Sequence, residues 1–106
     1  MTTLSGAQVA ALVKQAGFPE SVHVTMVAIA RAESGFNTEA VNSADPYGGS
    51  FGLFQINGAH GLDSRRLLSD AAFNTKAAKN IYDSQGLRAW GVYTSGAYEK
   101  YLNEAR

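Results

Sequence analysis

Residues 26–36 read Met26-Val27-Ala28-Ile29-Ala30-Arg31-Ala32-Glu33-Ser34-Gly35-Phe36, an apolar, helix-forming run that closes on a carboxylate, a serine and a glycine. Val22, Met26, Ile29 and Ala30 share one helical face, and Val24, Val27 and Ala28 share another. A helix apolar on most sides belongs at the centre of a fold. Gly35 offers a left-handed stop, so the helix should end near Ser34 with Glu33 in its last turn. That is a poor place for a negative charge, because the C-terminal end of the helix dipole disfavours it. Apolar neighbours worsen the position, since water can no longer solvate the charge. The usual escape is a raised pKa, and a carboxylic acid still protonated near neutrality can donate its proton in catalysis. The competing reading is a solvated carboxylate at a helix end.

Working outward, Ser5-Gly6-Ala7-Gln8 has the form of a capping box. Val9, Leu12, Val13 and Ala16 then predict a helix over about 5–16, with Gly17 as its stop. Phe18-Pro19-Glu20 opens the central helix, with Pro19 expected in its first turn, where its missing donor does no harm. Residues 42–50, Asn42-Ser43-Ala44-Asp45-Pro46-Tyr47-Gly48-Gly49-Ser50, carry the strongest loop signal. A short helical or extended piece at 52–56 and a loop at 57–63 follow. Arg65 to Leu68 can form one turn. Asp70 can cap a helix over 71–85, with Ala72, Phe73, Ala77, Ala78, Ile81 and Tyr82 as its apolar side and Gly86 as its stop. Tyr98, Tyr101 and Leu102 predict a last helical segment over about 96–105. Strand-like alternation is nearly absent. The expectation is one mainly α domain over residues 1–106.

Composition narrows the function. A chain of 106 residues suffices for one small domain, and 45% hydrophobic with 17% charged residues suits a globular one. Nine basic and nine acidic residues leave no net charge, which argues against nucleic acid as the main partner. The same neutrality gives no attraction to an anionic cell surface, so such targeting would fall to another domain or a delivery machine. The absence of cysteine excludes a disulfide framework and thiolate zinc sites. No apolar stretch is long enough for a membrane span. The N-terminal residues lack the form of a secretion signal, which predicts another exit route or a piece of a longer protein.

Other residues have plain structural readings. His23 lies within the central helix pattern and is expected to be structural. His60, between glycines, is expected at the surface or on a rim, without partners at metal-ligand spacing. Tyr93, Tyr98 and Tyr101 are more often packing residues than ligands. No glycine pattern matches a phosphate-binding loop, and no local motif argues for a Ser/His/Asp triad. Neither a metal nor a cofactor is expected.

Three blocks carry a resemblance. Glu33-Ser34-Gly35-Phe36 with Ala40 has the Glu-Ser-x-Phe-x-x-x-Ala form that opens the soluble lytic transglycosylases, relatives of the goose-type lysozymes. Gly52-Leu53-Phe54-Gln55 resembles their Gly-Leu-Met-Gln block, with Phe for Met. Val92-Tyr93-Thr94-Ser95-Gly96 resembles their Ala-Tyr-Asn-x-Gly block, keeping the tyrosine and glycine and losing the asparagine. The blocks stand in the family's order, and the spacing looks most like lysozyme-like modules of phage, endolysins among them, or of actinobacteria. The resemblance implies a small, mainly α, lysozyme-like domain with a glycan-binding cleft. It implies cleavage of peptidoglycan between N-acetylmuramic acid and N-acetylglucosamine, with Glu33 as the general acid.

The same resemblance implies roles for other positions. Ser34 would hold the helix end and the cleft, Gln55 would hydrogen-bond sugar or acetamido groups, and Tyr93 would bring its hydroxyl to Glu33. Tyr47, Phe51, Trp90 and Tyr98 are candidates for apolar contact with sugars, with core packing as an equal rival. The block from Ser50 to Asn57 also resembles the segment that carries the second acid of animal-type lysozymes, and Ser50 stands at that place. Lysozyme, with its buried glutamic acid and nearby aspartate, is a standard reference for such paired acids. Asp45 is the near substitute for the missing carboxylate. Without it, the substrate's acetamido group could assist, or the muramyl 6-hydroxyl could attack and leave an anhydro product; the sequence leans slightly to Glu33 acting without a second carboxylate. The implied enzyme acts on the cell wall outside the cytoplasm, delivered by phage, carried on a virion or forming part of a larger protein, and is expected to be a monomer. Two other readings stand beside it: a catalytically degenerate glycan-binding or structural module of a phage tail or wall protein, and a small helical interaction domain.

Overall fold

The structure is a computed structural model that describes residues 2–106. Helix α1 spans Gly6–Gln15 and starts at the predicted capping box: the Gln8 backbone N–H donates to Ser5 Oγ at 3.1 Å, and the Ser5 N–H donates to Gln8 Oε1 at 2.8 Å. It buries Val9 and Val13, four residues apart on one face. Helix α2, His23–Ser34, buries five consecutive residues, Met26 to Ala30, as a helix apolar on all sides must. Gly35 caps it at φ 64°. Pro19 lies outside α2, heading a separate 3-10 turn, Glu20–Val22, so the expected proline start belongs to that turn. His23 Nε2 lies 2.6 Å from the Phe18 carbonyl and pins the turn to the helix, the structural role expected of it.

Three two-residue strands follow: β1 (Val41–Asn42), β2 (Ser50–Phe51) and β3 (Ile56–Asn57). They form an antiparallel sheet in the order β1-β2-β3, with Val41 opposite Phe51, Asn42 opposite Ser50, and Ser50 opposite Asn57. Most of the predicted 42–50 loop is the excursion between β1 and β2. The 52–56 piece is a tight turn between β2 and β3, held by the Gln55 N–H on the Gly52 carbonyl at 3.0 Å.

Helix α3 spans Ser64–Ser69, longer than the single turn expected. Helix α4 spans Ala71–Gln85, with Asp70 accepting the Phe73 N–H at 3.0 Å and Gly86 at its end, as the punctuation predicted. Its inner face differs from the expected one: Ala72 is exposed, while Asn74 and Thr75 are buried. Both polar side chains are satisfied, Thr75 by the Ala71 carbonyl and Asn74 by three backbone groups. A 3-10 turn, Leu87–Ala89, leads to α5 (Gly91–Thr94). The predicted terminal segment divides into a 3-10 helix, Ala97–Tyr101, and α6, Leu102–Ala105. The core gathers around α2, with Phe54, Leu53, Ile56 and Trp90 delivered to it from the sheet turn and the α5 entry. The architecture is mainly helical, and the small sheet packs against α3 and α4.

Candidate active site

The turn Gly52-Leu53-Phe54-Gln55 is clamped from both sides. Asn74 Oδ1 accepts the Phe54 N–H at 3.0 Å, and the Trp90 indole donates to the Phe54 carbonyl at 3.2 Å. Ser34 Oγ donates to the Leu53 carbonyl at 2.8 Å and to the Ala30 carbonyl at 3.1 Å, tying the end of α2 to the turn. Gly52, at φ 76°, lies where a Cβ would run into the Asn74 amide and sit 2.6 Å from the Leu67 carbonyl, so only glycine fits. Glu33, one residue before Ser34, is thereby held in a fixed place relative to the turn.

A cleft of about 290 Å³ opens between the end of α2, the sheet and α4. Glu33, Asp45, Ser50, Gln55, Asn57 and His60 line it, with Ile81 and Gln85 of α4 and the Ala89–Gly91 segment opposite. The Glu33 carboxyl has no hydrogen-bond or cationic partner among the described residues. Burial, and after it the negative charge of Asp45, raise its carboxyl from 4.5 to about 7. Half of such a group is still protonated at neutrality, which is the state a proton donor needs.

Asp45 reaches the cleft because its loop is held. Asn57 Nδ2 donates to the Pro46 carbonyl at 2.9 Å, the Gly49 carbonyl at 3.2 Å and Ser50 Oγ at 3.3 Å. Asn42 Nδ2 donates to Asp45 Oδ1 at 3.2 Å. Burial is the larger influence on Glu33, so Asp45→Asn should lower the Glu33 midpoint only part of the way towards 4.5. Carboxyl-detected NMR titration of the variant measures this, and a full return to the ordinary value would mean that the charge, not burial, holds the proton.

The other expected residues divide. Gln55, in a left-handed conformation at φ 50°, donates Nε2 to the Ala40 and Gly52 carbonyls, each at 3.0 Å. Two carbonyl acceptors fix the amide's orientation and leave Oε1 as its unspent group in the cleft. Ser50 is buried in the cleft wall, its hydroxyl accepting from Asn57. Trp90 lines the cleft but is a core residue, buried edge-on to Phe54 with its N–H spent, so packing prevails over sugar contact. Ser34 is absent from the lining; its hydroxyl is consumed by the backbone. Tyr93 makes no hydrogen bond to Glu33: it stacks on Tyr98 with ring centroids 5.0 Å apart, and neither ring lines the cleft. Phe51 packs against the core. Tyr47 stands 76% exposed at the loop tip, outside the cleft lining. The sequence reading did not single out Asn57 and Asn74, which hold the two cleft walls; the Asn at the end of the Ser50–Asn57 block was the only signal available for the first.

Fold and site together define a helical domain with a protonatable glutamate at the end of its central helix, facing a small sheet across a cleft. A family model described as a lysozyme-like domain matches residues 10–92, and the chain belongs to that family. Among solved structures, the crystal structure of lysozyme from Equus asinus matches with a TM-score of 0.70 and 23% identity, covering 99% of this chain and 99% of that one. At that identity the likeness establishes the lysozyme-like fold. No curated protein matches the chain.

Proposed function

We propose that this domain is a glycosidase of peptidoglycan, cleaving the β-1,4 bond between N-acetylmuramic acid and N-acetylglucosamine with Glu33 as general acid. The observation that carries the reading is the Glu33 carboxyl, raised to about 7 and lining an open cleft. A donor with a pKa near the working pH combines a populated acid form with sufficient acidity to protonate a leaving oxygen. In this reading Gln55 Oε1, which the two carbonyl contacts of Nε2 leave unused, accepts from a sugar hydroxyl or acetamido N–H. The cleft is lined by two carboxyl groups, Glu33 and Asp45, the pair that most glycoside hydrolysis uses. Asp45 activating water would give hydrolysis with inversion; intramolecular attack by the muramyl 6-hydroxyl would give an anhydro end.

Mass spectrometry of purified walls incubated with the protein tests both levels. New glycan fragments support cleavage, and fragments lighter by one water mark the transglycosylase over the muramidase. If Asp45 activates the water, Asp45→Asn should abolish the hydrolytic fragments. Binding to walls without any fragment after long incubation would leave a degenerate glycan-binding module, such as a phage tail or wall protein carries, as the better reading.

A further inference from the structure

The cleft does not end at His60. A second hollow of about 250 Å³ shares His60, Ile81 and Gln85 with it, and a third of about 220 Å³ shares Leu62, Ala77 and Asn80 with the second. Adjoining through these shared residues, the three hollows follow one another along α4, away from Glu33. Its far part changes character: Leu62, 40% exposed, Phe73 and Ala77 make it apolar, and Lys76 stands at its end. Lys76 has no acidic partner among the described residues. The nearest acids in sequence are engaged elsewhere: Asp70 caps α4 and faces Arg66, and Asp83 pairs with Lys79. From Gln85 to Lys76 the helix rises about 13–14 Å at ~1.5 Å per residue. An extended peptide covers that length with about four residues at ~3.3–3.6 Å each.

We propose that this side groove takes the stem peptide attached to the glycan, its small aliphatic side chains on Leu62, Phe73 and Ala77 and a carboxylate on Lys76. The proposal rests on the peptidoglycan reading above and extends it from the sugar bond to the form of the substrate. A glycan lacking peptides would leave the groove empty, whereas an anionic, alanine-rich stem matches both its apolar floor and its terminal cation. Continuity with the catalytic cleft lets both parts of one polymer bind at once, which raises the effective concentration of the second contact.

Two measurements test this. First, kcat/KM is compared on peptide-bearing glycan strands and on strands stripped of peptide by an amidase. The wild type should favour the peptide-bearing form by about three- to tenfold, the scale of one exposed ion pair with a few apolar contacts. Lys76→Glu and Leu62→Ser, both at exposed positions, should reduce that preference towards onefold and leave cleavage of stripped strands unchanged. Equal rates on both forms by the wild type would overturn the proposal while leaving the glycosidase reading intact. Second, a synthetic stem peptide is titrated into the wild-type protein by NMR. Shifts confined to Leu62, Phe73, Ala77 and Asn80, lost in Lys76→Glu, support the groove; shifts absent or centred on Glu33 overturn it. This second readout does not require turnover, so it separates failure of the groove from failure of the enzyme.

Discussion

Glu33→Gln should lose about 10²–10⁴-fold in wall-cleaving rate, the usual contribution of a positioned general acid. Gln keeps the shape and cannot donate an acidic proton. The same change should stabilise the fold at alkaline pH, and the sign follows from burial. The folded carboxyl holds its proton up to about 7, against 4.5 when solvated. Below 4.5 both states are protonated and the pH-dependent penalty vanishes. As pH rises towards 7, the unfolded chain ionises freely while the folded one resists, so stability falls. Above 7 the penalty is complete, on the order of 1–3 kcal/mol after allowing for the solvent that reaches an open cleft. Urea unfolding should therefore find Glu33→Gln more stable than wild type at pH 8 and equal to it at pH 4. A loss of activity accompanied by a loss of stability at pH 8 would instead mark Glu33 as a structural residue.

The second large effect belongs to Asn74. Its amide accepts from the Phe54 N–H at 3.0 Å and donates to the Phe51 and Leu67 carbonyls at 2.9 and 3.0 Å, in a place 1% exposed. Asn74→Ala leaves the buried Phe54 N–H and Leu67 carbonyl and the part-buried Phe51 carbonyl without this partner, and a buried group left unpaired costs about 1–3 kcal/mol. The expected loss is about 3–5 kcal/mol, the range of severe single substitutions. Denaturant unfolding gives the number, and a loss below about 1 kcal/mol would show that water or rearrangement replaces the amide. Because Asn74 holds the turn that carries Gln55, activity should fall with stability.

Much of this was legible in the sequence where local chemistry decides. Asp70 and Gly86 bracket α4, Ser5 and Gln8 start α1, and Gly35 ends α2, because caps and left-handed stops act within one turn. The apolar run fixed α2 as the central helix, and its final carboxylate stood out for the same reason. The sheet was not legible, since two-residue strands have no period to detect. Asn74 on a helix reads as a solvent-facing residue until the Gly52 turn is seen to need its amide. Tyr93 depends on side-chain direction, which sequence spacing does not carry: its ring stacks on Tyr98. Asp45 depends on Asn57 holding a loop from across the sheet, a contact that no local pattern announces.

The dependence of kcat/KM on pH, measured with soluble wall fragments, bears most directly on the acid role of Glu33. The free enzyme's essential acid sets the alkaline limb of that profile. With the Glu33 carboxyl at about 7, activity should fall tenfold per pH unit above that point. An activity unchanged between pH 6 and 9, or retained in Glu33→Gln, would contradict it.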